Sequence, residues 1–185
     1  MTGAESLVRA IWTELGGRLL GSPLVRLRVA ASPRLGVEWN GEEMRVTRIY
    51  EFSASHRLHV PSLSGDENVE LFGKCNNPAG HGHNYVIEVT LAGAPGETGE
   101  LLAAGEFDAI VEREVSERWD HKSLHEDLPE FAEVNPTAEE IARVAWRRLV
   151  GPLGAAAEAA SGARLHGIKL RETERNHVEY YGEDE

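Results

Sequence analysis

Cys75 is the only cysteine in a chain of 185 residues, and it opens the segment CNNPAGHGHNYVIEVTL, six residues before His81-Gly82-His83. A structural cysteine is expected inside an apolar run, as a small hydrophobe. Cys75 instead sits among Asn76, Asn77, Pro78 and Gly80, which are turn formers. His81 and His83, spaced i and i+2, project from the same side of an extended segment. His56 ends an earlier alternating segment, and antiparallel pairing could bring it opposite them. Three neutral imidazoles suit Zn²⁺, and three protein ligands with an open fourth position is the catalytic rather than the structural pattern. The alternative for each histidine is a structural role on a strand. A cation near Cys75 would favour its thiolate, which could act as base or nucleophile; otherwise it is a loop cysteine without a role. Asp120-His121, in WDHKSL, could set a tautomer and relay a proton, or form a surface ion pair. Glu172, in KLRETE, could accept two parallel N–H bonds from a planar amidine-like edge, as in guanine or pterin rings. On pattern alone it also reads as a solvated strand glutamate.

These residues need elements to hold them. Residues 45–56, RVTRIYEFSASH, alternate, with Val46, Arg48, Tyr50, Phe52, Ala54 and His56 on one face of a predicted strand. Residues 83–91, HNYVIEVTL, read as a second strand, with His83, Tyr85, Ile87, Val89 and Leu91 on one face. Between them lies a long polar stretch, and loops longer than about 12 residues in compact domains are usually functional or mobile. Residues 101–119 carry Leu102, Phe107, Ile110, Val111 and Val115 at helical spacing. Thr137 and Glu140 form a capping box that opens a second helix, striped by Ile141, Val144, Ala145 and Leu149. PLGAAAEAASGA reads as a loop or frayed helix end. RLHGIKLRETE and NHVEYYGE read as two closing strands. The order from residue 45 is β-β-α-α-β-β, an α+β fold with helices packed on an antiparallel sheet.

The length suits one domain or one domain plus a fragment. No window approaches 18 consecutive apolar residues, so no membrane-spanning helix is expected. The N-terminus MTGAESLVRAIWTELGG lacks the basic-then-apolar layout of a secretory signal. A lone cysteine fits a reducing compartment, so a cytoplasmic location is expected. A formal net charge of -12 argues against a general nucleic-acid surface. It does not argue against a small anionic substrate in a local basic pocket.

The first 43 residues resemble the end of the chain. GAESLVRAIWTEL (3–15) lies on TAEEIARVAWRRL (137–149), matching Arg9 to Arg143 and Trp12 to Trp146. PLVRLRVAASPRLGVEWNGEE (23–43) lies on RLHGIKLRETERNHVEYYGED (164–184), matching Val37 to Val178, Glu38 to Glu179 and Gly41 to Gly182. The chain therefore divides into a partial α-β-β repeat over 1–43 and a complete domain over 44–185. The partial unit has no counterpart of the three histidines or of Cys75, and Ala31 stands where Glu172 falls. Leu7, Ile11, Leu24, Leu27 and Val29 give it an apolar face, with too little chain to bury that face alone. Its strands are expected to pair with a sheet edge of the full unit, in this subunit or a neighbour. The competing expectation is an extension ahead of Met44 that takes no part in the fold.

FSASHRL, LFGKCNNPAGHGHNY, DHKSL, PTAEEIA and LRETERNHVEYYGE, in this order, closely resemble the 6-pyruvoyl-tetrahydropterin synthase family, over about residues 45–185. The resemblance implies a tunnelling fold, in which subunits join their sheets into an oligomeric barrel with sites at subunit interfaces. It implies that His56, His81 and His83 bind Zn²⁺, that Cys75 is the catalytic base, and that Asp120 and His121 complete a proton relay. It implies that Glu172 anchors a pterin ring, with Thr137 and Glu139 in the same pocket. The implied substrate is 7,8-dihydroneopterin triphosphate, with Mg²⁺ accompanying the triphosphate and Arg57 and Lys74 as candidates for its phosphate end. The implied product is 6-pyruvoyl-tetrahydropterin. The related alternative is a 6-carboxy-tetrahydropterin synthase of queuosine synthesis, which releases acetaldehyde; the long Cys-to-His-Gly-His spacing here favours the pyruvoyl enzyme. A more distant alternative is a non-catalytic pterin- or purine-binding module. The sequence departs from the family pattern at Ala138, where a hydroxyl residue usually follows Thr137, and at Ala103, where Asp or Asn is common.

Overall fold

The structure is a computed structural model that describes residues 3–182. Its centre is a pair of long antiparallel strands, β5 (Met44–His56) and β6 (His81–Gly93), in unbroken register from Met44 opposite Gly93 to His56 opposite His81. Two further strands follow β6, namely β8 (Arg164–Arg171) and β9 (His177–Tyr180). On the other side of β5 lie β4 (Leu35–Trp39) and β3 (Leu27–Ser32). The sheet order is β3-β4-β5-β6-β8-β9, with every neighbouring pair antiparallel. A two-residue strand, β7 (Lys122–Ser123), pairs in parallel with β5 at Ala54 and Ser55. Ahead of the sheet, β1 (Arg18–Leu19) and β2 (Ser22–Pro23) form a small separate ladder.

One face of the sheet is apolar because its strands alternate with period two. Val46, Phe52 and Ala54 of β5, and Tyr85, Ile87, Val89 and Leu91 of β6, are buried on it. Helices cover this face. The chain from Ala104 to Trp119 is helical, running as α3 (Ala104–Val111), a wider turn at Glu112–Ser116 and the short α4 (Glu117–Trp119). It buries Phe107, Val111, Val115 and Trp119. A one-turn helix, α5 (Leu124–Asp127), follows, and α6 (Ala138–Val150) buries Ile141, Ala145 and Leu149. Burying each such large apolar side chain stabilises the fold by roughly 1.5–3 kcal/mol. Arg48 lies on this inward face too, as the alternation predicts. It pairs with Asp108 of α3, whose carboxylate also accepts a 2.8 Å bond from the Tyr50 hydroxyl. The opposite face is polar, with Thr47 and Thr90 hydroxyls 2.9 Å apart across β5 and β6.

The structure differs from the sequence reading in several places; at the start of α6 Thr137 accepts from the Glu140 N–H, which is one half of the expected capping box. PLGAAAEAAS forms a real helix, α7 (Pro152–Ser161), with Pro152 in its first turn and Gly162 in the left-handed region at its end (φ 73°). Both are ordinary boundary signals; the alanine run hid them because it carries no clear apolar stripe. The polar stretch between β5 and β6 contains α2 (Gly65–Phe72), started by a capping box between Ser64 and Glu67. α2 is tied down by Asn68, which is fully buried and bonds the backbone of Val60, Leu63 and Ser64. Ala103, the departure noted above, stands at the start of α3 and gives it no side-chain cap.

Glu130 ties the helical layer together. Its carboxylate takes bonds from Arg118 (2.7 and 3.0 Å) and from the Trp119 indole (3.0 Å). Arg118 heads the donors that outweigh burial and pull its pKa from 4.5 down to about 2. A depressed carboxylate contributes stability that is complete above its unfolded pKa of about 4.5 and is lost as pH falls toward 2. Glu130→Gln should therefore destabilise the fold at neutral pH by on the order of 2–3 kcal/mol. Acid melts should show that the gap between parent and variant closes between about pH 4.5 and 2.

Candidate metal centre and its surroundings

The three histidines meet because β5 and β6 end together. His56 closes β5 directly opposite His81, the first residue of β6, and His83 follows on the same face. The ring centroids are 4.5 Å (His56–His81), 5.1 Å (His56–His83) and 4.9 Å (His81–His83) apart. One nitrogen from each lies within 4.8 Å of the others, so the three could hold a metal ion.

Local chemistry fits that role. His56 is buried, and its Nδ1 is 2.7 Å from the carbonyl oxygen of Pro136, which can only accept. Nδ1 therefore carries the proton, and the Nε2 lone pair points into the cluster. This is the way outlying groups orient metal-binding imidazoles. The His56 and His81 Nε2 atoms are 3.0 Å apart. Zn–N bonds of about 2.0–2.1 Å in tetrahedral geometry place two ligand nitrogens ~3.3 Å apart. Two buried ring nitrogens here, His83 Nε2 and His81 Nδ1, have no hydrogen-bond partner among the described residues. Buried polar atoms are rarely left so. Burial is the main cause that lowers the pKa of both His56 and His83, against the opposing charge of Glu172. Both rings are thus held neutral, the form that binds metal.

Glu172 faces the same point. The closing strand stops at Arg171, so Glu172 stands just past β8 rather than within it. A tight loop holds it, with the Glu172 N–H bonded to Asn176 O at 3.0 Å and Asn176 Nδ2 donating to Glu172 Oε2 at 2.7 Å. Its Oε1 is 3.5 Å from His56 Nε2 and 3.9 Å from His83 Nε2. Tyr85 forms the floor beneath, stacked on Phe52 at 5.0 Å and edge-on to His83 at 5.6 Å. Burial, reinforced by the Glu172 charge, raises the pKa of the Tyr85 hydroxyl. Tyr85 reads in the sequence only as one of a row of inward strand residues, although its place two positions after His83 is the signal that puts it here.

Cys75 lies in a 3₁₀ turn, Gly73–Asn76, half-buried and within electrostatic reach of the Tyr85 hydroxyl. The turn is pinned to the end of β5. Leu58 N–H bonds to Cys75 O at 2.8 Å, and the buried Asn76 amide donates to Leu58 O at 2.7 Å. Arg57 bonds to Asn76 O at 3.2 Å, whereas Lys74 is exposed. Pro136 and Asn76 orient His56 and the cysteine turn, and nothing in the sequence pattern marks Pro136 for that role. Asn76 was visible only as a turn former.

Asp120 and His121 do not join the hydrogen-bonded histidine cluster. Asp120 accepts a 2.8 Å bond from the Ser53 N–H, and His121 N–H bonds to Ser53 O at 2.6 Å, so the pair lies along the outer edge of β5. The Asp120 carboxylate and His121 Nδ1 are 2.7 Å apart, and the His121 side chain is 82% exposed. His121 nevertheless borders, together with His83 of the cluster, an open cleft of about 410 Å³ that Ser53, Ser55, Gly82 and Asn84 also line. Thr137 caps α6, accepting from the Glu140 N–H at 3.4 Å, and Glu139 is exposed on the first turn.

An antiparallel sheet with helices on one face and three histidines gathered at one end defines a tunnelling-fold enzyme. The family described as 6-pyruvoyl tetrahydropterin synthase matches residues 45–183, and the chain belongs to it. The human protein called 6-pyruvoyl tetrahydrobiopterin synthase is 41% identical over 144 residues, covering 76% of this chain and 93% of that one. The guppy (Poecilia reticulata) protein of the same name is 40% identical over 139 residues, covering 75% of this chain and 90% of that one. The solved structure of Caenorhabditis elegans 6-pyruvoyl tetrahydropterin synthase superposes with a TM-score of 0.65 and 32% identity, covering 76% of this chain and 96% of that one.

Proposed function

We propose that the protein converts 7,8-dihydroneopterin triphosphate to 6-pyruvoyl-tetrahydropterin, with triphosphate as the leaving group. The observation that carries this is the convergence of His56, His81, His83 and Glu172 on one point, with the Cys75 turn bonded to Leu58, two residues past His56. His56, His81 and His83 would hold zinc, with Nε2 of His56 and one nitrogen of each other ring as the available donors. Zinc supplies Lewis acidity toward the side-chain oxygens of the substrate.

The chain's own residues do the rest. Cys75, as thiolate, removes a proton from the carbon side chain of the substrate, and Asp120 with His121 relays protons. The internal hydrogen shifts leave no net oxidation, so no nicotinamide is consumed. Glu172 accepts N–H bonds from the planar edge of the pterin, and Thr137 and Glu139 complete that pocket. Arg57 and Lys74 take the phosphate end, with Mg²⁺ on the triphosphate. No helix of the described residues is long and apolar enough to cross a membrane, and a cytoplasmic location fits a small phosphorylated substrate.

Incubating the zinc-loaded protein with 7,8-dihydroneopterin triphosphate and Mg²⁺, then identifying the pterin formed, tests the reading. The 6-pyruvoyl product with inorganic triphosphate is expected. The 6-carboxy product with acetaldehyde would assign the related activity instead, and no turnover would leave a binding module. Glu172→Gln should keep zinc but weaken substrate binding by about tenfold or more, since a charge-assisted bond is worth about 1.5–3 kcal/mol. Unchanged KM and kcat would remove Glu172 from the pocket, and loss of zinc would make it a metal ligand.

A further inference from the structure

We infer that residues 3–43 occupy, within the chain, a docking edge shaped for the C-terminal α-β-β unit of a second copy of this chain. The edge is the outer side of β5.

The argument starts from matched contacts. In the N-terminal hairpin Leu27, Arg28 and Val29 stand opposite Trp39, Glu38 and Val37. In the C-terminal hairpin Ile168, Lys169 and Leu170 stand opposite Tyr180, Glu179 and Val178. These are the same positions of the aligned repeat, in the same register. The charged pair recurs, with Arg28–Glu38 at 3.7 Å and Lys169–Glu179 at 3.5 Å. The helix contacts recur as well. The guanidinium of Arg9, in α1 (Ala4–Glu14), lies 5.9 Å from the Trp39 ring, and Arg143 of α6 lies 5.9 Å from the Tyr180 ring. Gly41 lets Trp12 approach so closely that a Cβ would stand 3.2 Å from the ring, and a Cβ on Gly182 would run into Trp146. The aligned Glu183 falls outside the described residues.

The two units differ in what lies beyond them. β4 uses its second edge to pair with β5, with Val37 opposite Val46, Glu38 opposite Arg45 and Trp39 opposite Met44. β9, its counterpart, pairs only with β8 among the described strands and ends the sheet. Its free edge is the one that corresponds to the β5-pairing edge of β4. A β9 strand placed against β5 of another copy would set Val178 on Val46, Glu179 on Arg45 and Tyr180 on Met44. These pairs keep the apolar and opposite-charge matches that β4 makes. An unpaired strand edge is a template for another chain. The N-terminal unit therefore closes β5 against self-association and lowers the number of copies in the assembly.

The test compares copy number, by sedimentation and light scattering, for the full chain and for two released forms. One lacks residues 1–43; family relatives almost wholly covered by this chain's other three-quarters fold without them. The other is the full chain with Val37→Pro, which removes a strand N–H from β4. Both should assemble with more copies than the parent, whether or not either retains turnover. In the truncated form Glu179→Arg should reverse the gain, and adding Arg45→Glu should restore it. A folded released form with the parent's copy number overturns the inference, and so does a gain indifferent to Glu179→Arg.

Discussion

His83→Ala should empty the metal site and abolish turnover. His83 is the informative position because its Nε2 makes no hydrogen bond among the described residues and its side chain is 18% exposed, whereas His56 is buried and bonded to Pro136. Changes to groups that merely orient ligands cost ~10–100-fold in metal affinity, so removing a ligand should cost more than about a hundredfold. Metal analysis after dialysis, with circular dichroism to confirm the fold, checks it. Full zinc occupancy in the variant would refute the assignment of the three histidines.

Cys75→Ala should have the complementary effect: metal and fold retained, turnover lost. The turn around Cys75 is held by its backbone carbonyl and by Asn76, neither of which the substitution touches. A positioned base is worth roughly 10²–10⁴-fold, and kcat should fall by that factor. Thiol alkylation should inactivate the parent, and substrate should protect it. Activity within a few-fold of the parent in Cys75→Ala would show that another group takes the proton.

Much of this arrangement could be read from residue spacing. The alternation in residues 45–56 and 83–91 fixed which side chains face inward, and the i, i+2 histidines then had only one face to occupy. The fold class followed from the same periodicity. What stayed hidden was non-local or irregular. Pro136 orients His56 through a backbone carbonyl, which no residue type advertises. Tyr85 looks like any inward strand residue until His83 and Glu172 surround it. α7 was hidden by uniform alanine composition, and α2 by polarity, although Ser64 and Glu67 carried its start signal. The position of Asp120 and His121 on the outer edge of β5 depends on a two-residue parallel strand too short to leave a pattern.

The order of the site's parts along the chain also orders its birth. His56, His81 and His83 belong to two strands consecutive in sequence, paired without interruption. Pro136 and Glu172 come much later, from the start of α6 and the end of β8. A nascent chain emerges N-terminus first, so all three imidazoles leave the ribosome before either residue exists. The three histidines sit on one hairpin, while the carbonyl that meets His56 Nδ1 and the carboxylate facing the pocket come into place only when α6 and the end of β8 dock. Assembly of the histidine cluster and completion of its surroundings are thus separable stages in the life of one molecule.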